Sequence, residues 1–498
     1  MITIHYSAAR CGAGKTRWAC ERIAKTPGRY LLAVDRRDVF ARRVETIEEF
    51  AAEHGTHPKV VQLYSKSEKW EGGISDVRRS VRETGCEYAS FPHVVVVITH
   101  EALKSSDLST YTGWTLIIDE VPTVWTHEEI CTPVLWKYLR QAYNLIPVGG
   151  SGWSEVQAKT DGASVADHHL DTYLAPMAVF HKRVKDQGVF AQLTDWHDAA
   201  GRKPWSWFSI WNLEELSAFE RVYLLANAFE HTVTYKLLAS ASSTSVRFEP
   251  FDIPSAIPWL PRAITIRYFA ASHTAGTAFW TESVSGQECL RRISWWVNAH
   301  SDADNHYWSC NLGLYPDHAL VGKKVSPKIA GSNDYKDLTC GTFIYTAKPS
   351  QAEERVFDWF GISREEVIRS REFEDLVQMF WRCSVREAAD HRPVEFRVYD
   401  QQQAEFLRDF IIQAGLPATT VAVEQIDLGL DEFRPNPVGR PRQECSQQEI
   451  HEKAERKKEQ DRLRKEKERA RKREQDDQVY VERRSRGRTT EEPDKAGL

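Results

Sequence analysis

Ile2-Thr3-Ile4-His5-Tyr6-Ser7-Ala8-Ala9-Arg10-Cys11-Gly12-Ala13-Gly14-Lys15-Thr16 decides the fold. A β-branched and aromatic run leads into a loop of small residues that ends in Gly-Lys-Thr, and helix-compatible residues follow over 17–23. Strand, tight loop and helix in that order build an anion cradle. Successive backbone N–H groups converge on phosphate oxygens, and the new helix adds the positive end of its dipole. Gly12 and Gly14, flanking Ala13, lack a Cβ and let the backbone come close. Lys15 then reaches the β and γ phosphates, and the Thr16 hydroxyl ligates magnesium. The stretch therefore implies a nucleoside triphosphate and Mg2+.

A second anchor lies at Thr115-Leu116-Ile117-Ile118-Asp119-Glu120-Val121-Pro122. Its apolar run reads as a buried strand, with two carboxylates at the carboxyl end, where open α/β sheets bind ligands. Asp119 is the expected Mg2+ holder, directly or through water, and Glu120 the group that polarises an attacking water. Paired acids at a strand end are common surface turns. Downstream of a Gly-Lys-Thr loop they more rarely are.

Composition sets the frame. The 498 residues are enough for about three domains by length. An apolar share of 41% supports sizeable cores. The nine cysteines show no Cys-x-x-Cys pair and no Cys/His ligand spacing, which argues for free thiols in a reducing compartment and against zinc. Apolar runs are short and the start lacks a signal-peptide pattern, so a cytoplasmic protein is expected. Net charge is −5, but 451–488 carry 16 Lys/Arg against 10 Asp/Glu. The remainder is correspondingly acidic, which excludes broad nucleic-acid coating and leaves a confined groove or the tail for such contacts.

Between the anchors, Tyr30-Leu31-Leu32-Ala33-Val34 reads as a second buried strand, followed by a charged helix through Arg43 and Ile47. Val60-Val61-Gln62-Leu63-Tyr64 reads as a third strand. Val94-Val95-Val96-Val97-Ile98-Thr99-His100 suits the middle of a parallel sheet and opens a helix, with Thr99 equally readable as its N-cap. Over 126–219 tryptophans accumulate. In Trp205-Ser206-Trp207-Phe208-Ser209-Ile210-Trp211, a strand places the three on one face. Such a face can stack single-stranded bases, but core packing is the commoner use and the expected one. A proline cluster (Pro250, Pro254, Pro258, Pro261) marks a linker before a second α/β unit. Its segments are the strand Ala263-Ile264-Thr265-Ile266-Arg267-Tyr268, a helix over 288–297, strands at 306–310, 341–345, 394–399 and 419–423, and a helix over 401–414.

In Gln378-Met379-Phe380-Trp381-Arg382-Cys383-Ser384-Val385-Arg386 the polar residues step by four, so a helix would align Gln378, Arg382 and Arg386 on one stripe. Glu374 and Asp375 just before them allow a plain salt-bridged face. Beyond Arg434, Pro437-Val438-Gly439-Arg440-Pro441-Arg442 has a Gly-Arg-Pro core like that of minor-groove AT-hooks. The Glu/Lys/Arg-dense 447–475 reads as an exposed helix or charged tail.

Together these motifs resemble superfamily 2 (DEAD/DEAH-like) helicases. Ala-x-x-Gly-x-Gly-Lys-Thr is a form of their phosphate loop, with Ala9 at the usual first glycine, and Asp-Glu-Val-Pro resembles their Asp-Glu-x-x box. The Gln/Arg stretch resembles their arginine motif, although the last arginine is eight residues after Gln378 rather than seven and Trp381 replaces a glycine. The resemblance implies two RecA-like domains with parallel sheets, 1–247 with an insertion at about 126–219 and 248–425, followed by a charged tail over 426–498. It implies that Lys15, Glu120, Gln378, Arg382 and Arg386 act in ATP hydrolysis, Arg386 being slightly favoured as the finger. It implies that Gly331 and Asn333 read ribose and phosphate, that Arg36, Thr99 and His100 touch nucleic acid, and that Ala226-Asn227-Ala228 links hydrolysis to the nucleic-acid site. Preference for ATP over GTP comes from the resemblance alone, since only one strand precedes the phosphate loop. The expected activity is ATP-driven movement on DNA, or less readily RNA, by analogy in a phage or plasmid replication system. A DNA-packaging-type translocating ATPase and a non-enzymatic nucleic-acid binder with a nucleotide switch are the alternatives.

Overall fold

The computed structural model describes residues 2–65, 76–130, 136–149, 151–159, 168, 177–186, 188–192, 196, 205–241, 245–253, 260–311, 313–314, 319–328, 334–414 and 420–433. The AT-hook-like stretch and residues 434–498 of the charged tail lie outside the described residues, as do Gly331 and Asn333.

Two parallel sheets carry the fold, as the motif order leads one to expect. The first takes β1 (Ile2–Ser7), β2 (Arg29–Val34), β3 (Lys59–Gln62), β4 (Val94–Thr99), β5 (Thr115–Asp119), β11 (Arg221–Leu225) and β12 (Val246–Pro250) in the order β12-β1-β11-β5-β2-β4-β3, with every pair parallel. Strands buried on both faces become continuous apolar runs, and β4 is such a run, with Val94 to Ile98 fully buried. Helices cover both faces. Ile23, Phe40 and Ile47, from α1 (Lys15–Lys25) and α2 (Phe40–His54), pack one face against Leu32, Val95 and Ile117. Trp114, Leu103 and Phe229 pack the other against Leu31, Val96 and Ile118.

Parallel strands aligned this way deliver their carboxyl ends to one edge. Ser7, Val34, Asp119 and Leu225 stand side by side there, and that edge is where an α/β sheet presents a ligand site. β12 extends the first sheet through Pro250, beyond 247.

The insertion is a separate antiparallel sheet. Its strands β6 (Trp125–Ile130), β7 (Tyr143–Pro147), β8 (Trp153–Ala158), β9 (Val189–Gln192) and β10 (Trp205–Ile210) run in the order β6-β10-β9-β8-β7. Trp205 and Trp207 are fully buried and pack with Phe180 and Trp196, so these two offer no face for stacked bases. Trp211 leaves that core for the first sheet's. The insertion also leans on the second unit, where Trp153 stacks on Trp359 at 5.7 Å and Phe208 meets Phe360 at 5.8 Å.

The second sheet orders β13 (Ala263–Ala270), β14 (His306–Cys310), β15 (Lys323–Lys324), β16 (Cys340–Ile344), β17 (Val394–Asp400) and β18 (Thr420–Gln425) as β15-β14-β16-β17-β13-β18, again all parallel. Past β18, Leu430 is buried in its core and Asp431 accepts hydrogen bonds from the Ala271 and Ser272 N–H groups, which carries this unit's fold beyond 425. Among the described residues no helix is long and apolar enough to cross a membrane.

Candidate active site

The loop after β1 turns twice through the left-handed region, at Gly12 (φ 78°) and Gly14 (φ 84°). An alanine Cβ would meet nothing within 4 Å at either position, so φ rather than space demands glycine there. Gly14 is the N-cap of α1, which leaves the first helical N–H groups facing the loop. Lys15 opens the helix, is 8% exposed, and donates from Nζ to the carbonyls of Ala9 (2.5 Å) and Arg10 (3.0 Å). Its ammonium therefore arches back over the loop.

Thr16 and Asp119 meet. The Thr16 hydroxyl lies 3.0 Å from both Asp119 carboxylate oxygens. A hydroxyl and a carboxylate are hard oxygen donors, the set a magnesium ion takes from a protein when phosphates and water complete its octahedron. Among the described residues no cluster of three or more His, Cys, Asp or Glu side chains suited to a metal occurs, so Thr16 and Asp119 would supply part of the Mg2+ shell and water or phosphate oxygens the rest.

Arg43 is the partner that sequence reasoning missed. It sits on α2, is 8% exposed, and contacts Asp119 Oδ2 through Nε at 3.2 Å and Nη2 at 3.1 Å. His100, expected at a nucleic-acid surface, is instead buried at 5% exposure behind the same residue, with Nε2 3.1 Å from the Asp119 carbonyl. Burial lowers its pKa, so the ring is neutral and its Nε2–H donates to that carbonyl. His100 props the acidic strand end from the interior.

Glu120 follows with φ 75°, a left-handed conformation for a side-chain-bearing residue, held by its N–H donating to Leu225 O at 2.9 Å. Strain of this kind costs about 1–3 kcal/mol and gathers where function dictates geometry. Burial raises the Glu120 pKa and the Asp119 charge adds to that, while Lys15, Arg382 and Arg43 oppose it. A carboxylate pushed up in this way is a better proton acceptor for water.

The second unit supplies the opposite wall. Gln378 lies on the helix Glu374–Phe380, but the helix stops there: Trp381 and Arg382 turn, and Arg386 ends the short 3-10 segment Ser384–Arg386. The three polar residues therefore do not share a helical stripe. They converge by a different route. Gln378 Oε1 accepts from Arg382 Nη2 at 3.2 Å, and Arg382 is 6% exposed. Both arginines lie within electrostatic reach of Glu120 and of Cys11 in the phosphate loop. Burial lowers both guanidinium pKa values, that of Arg386 to about 10, with Arg382 the next cause there. Cys11 packs against the second unit's core, and its thiol is pushed up to about 12 by burial.

Two further residues bind the walls together. Asn227, just beyond β11, donates from Nδ2 to both Glu374 carboxylate oxygens, at 3.0 and 2.8 Å, and Gln378 Nε2 donates to Glu374 Oε1 at 3.2 Å. Burial lifts the Glu374 carboxyl to about 7 despite those donors. Glu374 thus pairs with amides rather than with the arginines, and Asp375 accepts from the Tyr345 hydroxyl at 2.8 Å. A cleft of about 670 Å³ runs beside them, with Glu120, Asn227 and His127 on one side and Lys328, Glu374 and Gln378 on the other.

Arg36, expected to touch nucleic acid, is half-exposed beside two acids. It lies 3.5 Å from Asp35 and 3.7 Å from Asp38, and its charge is felt at Arg382. Its neighbour Arg37 lines a separate hollow of about 530 Å³ with Tyr64, Arg78, Thr99 and Lys182. Thr99 does cap its helix, accepting from Ala102 N–H at 3.2 Å, and it also borders this hollow.

Among solved structures the chain is similar to an XPD helicase (9% identity, 84% of this chain and 96% of that one, TM-score 0.45). It is also similar to an apo XPD structure (9% identity, 86% and 97%, TM-score 0.46) and to a DEAD box protein from the hyperthermophile Methanococcus jannaschii (11% identity, 86% and 89%, TM-score 0.27). No family model and no curated protein matches the sequence.

Proposed function

We propose that this chain hydrolyses ATP between its two parallel-sheet units and couples hydrolysis to movement on nucleic acid, as a helicase or translocase. One observation carries the reading: Glu120 of the first unit and Gln378 of the second line the same cleft, Gln378 holds Arg382, and Cys11 of the phosphate loop packs on the second unit's core. A nucleotide switch with no turnover has no use for a strained, base-like Glu120 facing guanidinium groups.

In this reading the loop N–H groups and Lys15 hold the β and γ phosphates, and Thr16 and Asp119 hold Mg2+. An ion held there would supply positive charge against the charge that builds on the phosphate oxygens. Glu120 orients the attacking water and takes up its proton. Arg382, braced by Gln378, and Arg386 stabilise the equatorial oxygens, an effect worth 10³–10⁵ in rate in related chemistry. Asn227 and Glu374 transmit opening and closing between the units. The hollow bordered by Arg37, Arg78, Thr99 and Lys182 supplies phosphate contacts to a nucleic-acid strand; all four are polar groups a backbone would meet without base specificity. DNA is the favoured strand, and a phage or plasmid replication role rests on the Asp-Glu-Val-Pro box and the charged tail alone. The test is phosphate release measured side by side with single-stranded DNA, duplex DNA and RNA. Stimulation by one of them, lost in Lys15→Ala and Glu120→Gln, is expected. Absence of turnover in the wild type sinks the reading.

A further inference from the structure

Asp119 carries its charge in the interior, at 2% exposure, where an uncompensated carboxylate is costly. Its Oδ2 is taken by a two-pronged contact from Arg43, and the Thr16 hydroxyl lies against both oxygens. Arg43 is held in place by its burial within α2. Arg43 and Asp119 therefore form a pair of opposite charges whose sum is zero. We propose that Arg43 is a resident counter-cation for Asp119, a positioning residue that makes this site accept Mg2+ only together with a polyphosphate. The proposal rests on the nucleotide-binding reading above.

The chemistry follows from what a magnesium ion requires. Mg2+ gives up its water reluctantly and needs strong negative oxygen donors in return. A carboxylate already neutralised on one oxygen by guanidinium offers only a partial charge. Phosphate oxygens cradled at the Gly12–Gly14 turn supply the rest. Free Mg2+ is thereby kept from seating on Asp119 and fixing Thr16 before a nucleotide arrives. Remove the guanidinium, and Asp119 becomes a bare buried anion that a divalent cation can satisfy by itself.

Thermal unfolding of the full chain without nucleotide, across MgCl2 from zero to about 10 mM at constant ionic strength, separates the cases. Wild type and Arg43→Lys should melt at temperatures independent of Mg2+. Arg43→Met should melt lower by on the order of 10 °C, since one partner of a buried ion pair is left alone, and Mg2+ should recover about half of that loss. Adding Asp119→Asn to Arg43→Met should restore stability and abolish the Mg2+ response. An Arg43→Met protein indifferent to Mg2+, or a wild type that responds as strongly, overturns the proposal. If Arg43→Met does not fold, calorimetric titration of Mg2+ into wild type decides: saturable sub-millimolar binding without nucleotide refutes it, and no such binding supports it. None of these readouts needs catalysis. A chain that shows the Mg2+ response yet hydrolyses no triphosphate would refute the proposed function and leave Arg43's role standing.

Discussion

Glu374 offers the sharpest handle on how the two units meet. Its carboxyl is enclosed between Asn227 of one and Gln378 of the other, and burial raises its pKa from 4.5 to about 7. A raised acid pKa means the folded protein binds a proton that the unfolded chain releases. The group's stabilisation is therefore complete below about pH 4.5 and is lost as pH rises through about 7. Between pH 5 and pH 8 the loss integrates to roughly 2–3 kcal/mol, counting about 1.4 kcal/mol per pKa unit. Glu374→Gln has the same shape and no charge, so it removes the pH dependence while changing the hydrogen bonds by a constant amount. Melting temperatures of wild type and Glu374→Gln should thus diverge as pH rises, the variant gaining on the wild type by about 5–10 °C between pH 5 and pH 8 for domains of this size. Scanning calorimetry at matched ionic strength reads this directly. A gap that stays constant with pH would refute the enclosed, proton-sharing carboxyl and with it the closed contact to Asn227.

Other consequences follow from the same geometry. Glu120→Gln should lower the hydrolysis rate by about 10²–10⁴, the usual weight of a positioned base, while nucleotide binding measured by fluorescence anisotropy stays within a few-fold. Lys15→Ala should weaken that binding itself. Trp359→Ala removes ring contacts to Trp153, Phe190 and Phe208 and should cost about 2–4 kcal/mol. Hydrogen exchange should then rise in β8, β9 and β10 and stay unchanged in β1 and β5; a uniform rise would count against the insertion's docking on the second unit.

The phosphate loop and the acidic strand were legible because local chemistry dictates them. Glycines at positive φ and apolar runs ending in carboxylates leave a pattern within a few residues. Strand periodicity likewise located β2, β4, β13, β14 and β17. What the pattern could not convey was depth. His100 reads like a surface residue after a strand, yet it is the first residue of the helix His100–Ser105 and its ring contacts the Asp119 carbonyl in the interior. Arg43 sits in a charged helix beside the exposed Arg42, and its burial against Asp119, 76 residues away in sequence, leaves no mark on the local pattern. The four-residue spacing of Gln378, Arg382 and Arg386 implies one continuous helix, but the helix ends at Phe380 and the buried Trp381 and Cys383 lie in the turn that follows. Trp205 and Trp207 were rightly read as core, since large aromatics dominate interiors. That they build an antiparallel sheet of their own left no local signature.

The central claim is that guanidinium groups of the second unit act on a triphosphate held by the first. Single-turnover phosphate release, with nucleotide affinity measured in parallel, tests it in Arg382→Ala and Arg386→Ala. Release should fall by about 10³-fold or more in at least one of them while affinity changes little. Wild-type release rates in both variants would contradict the account.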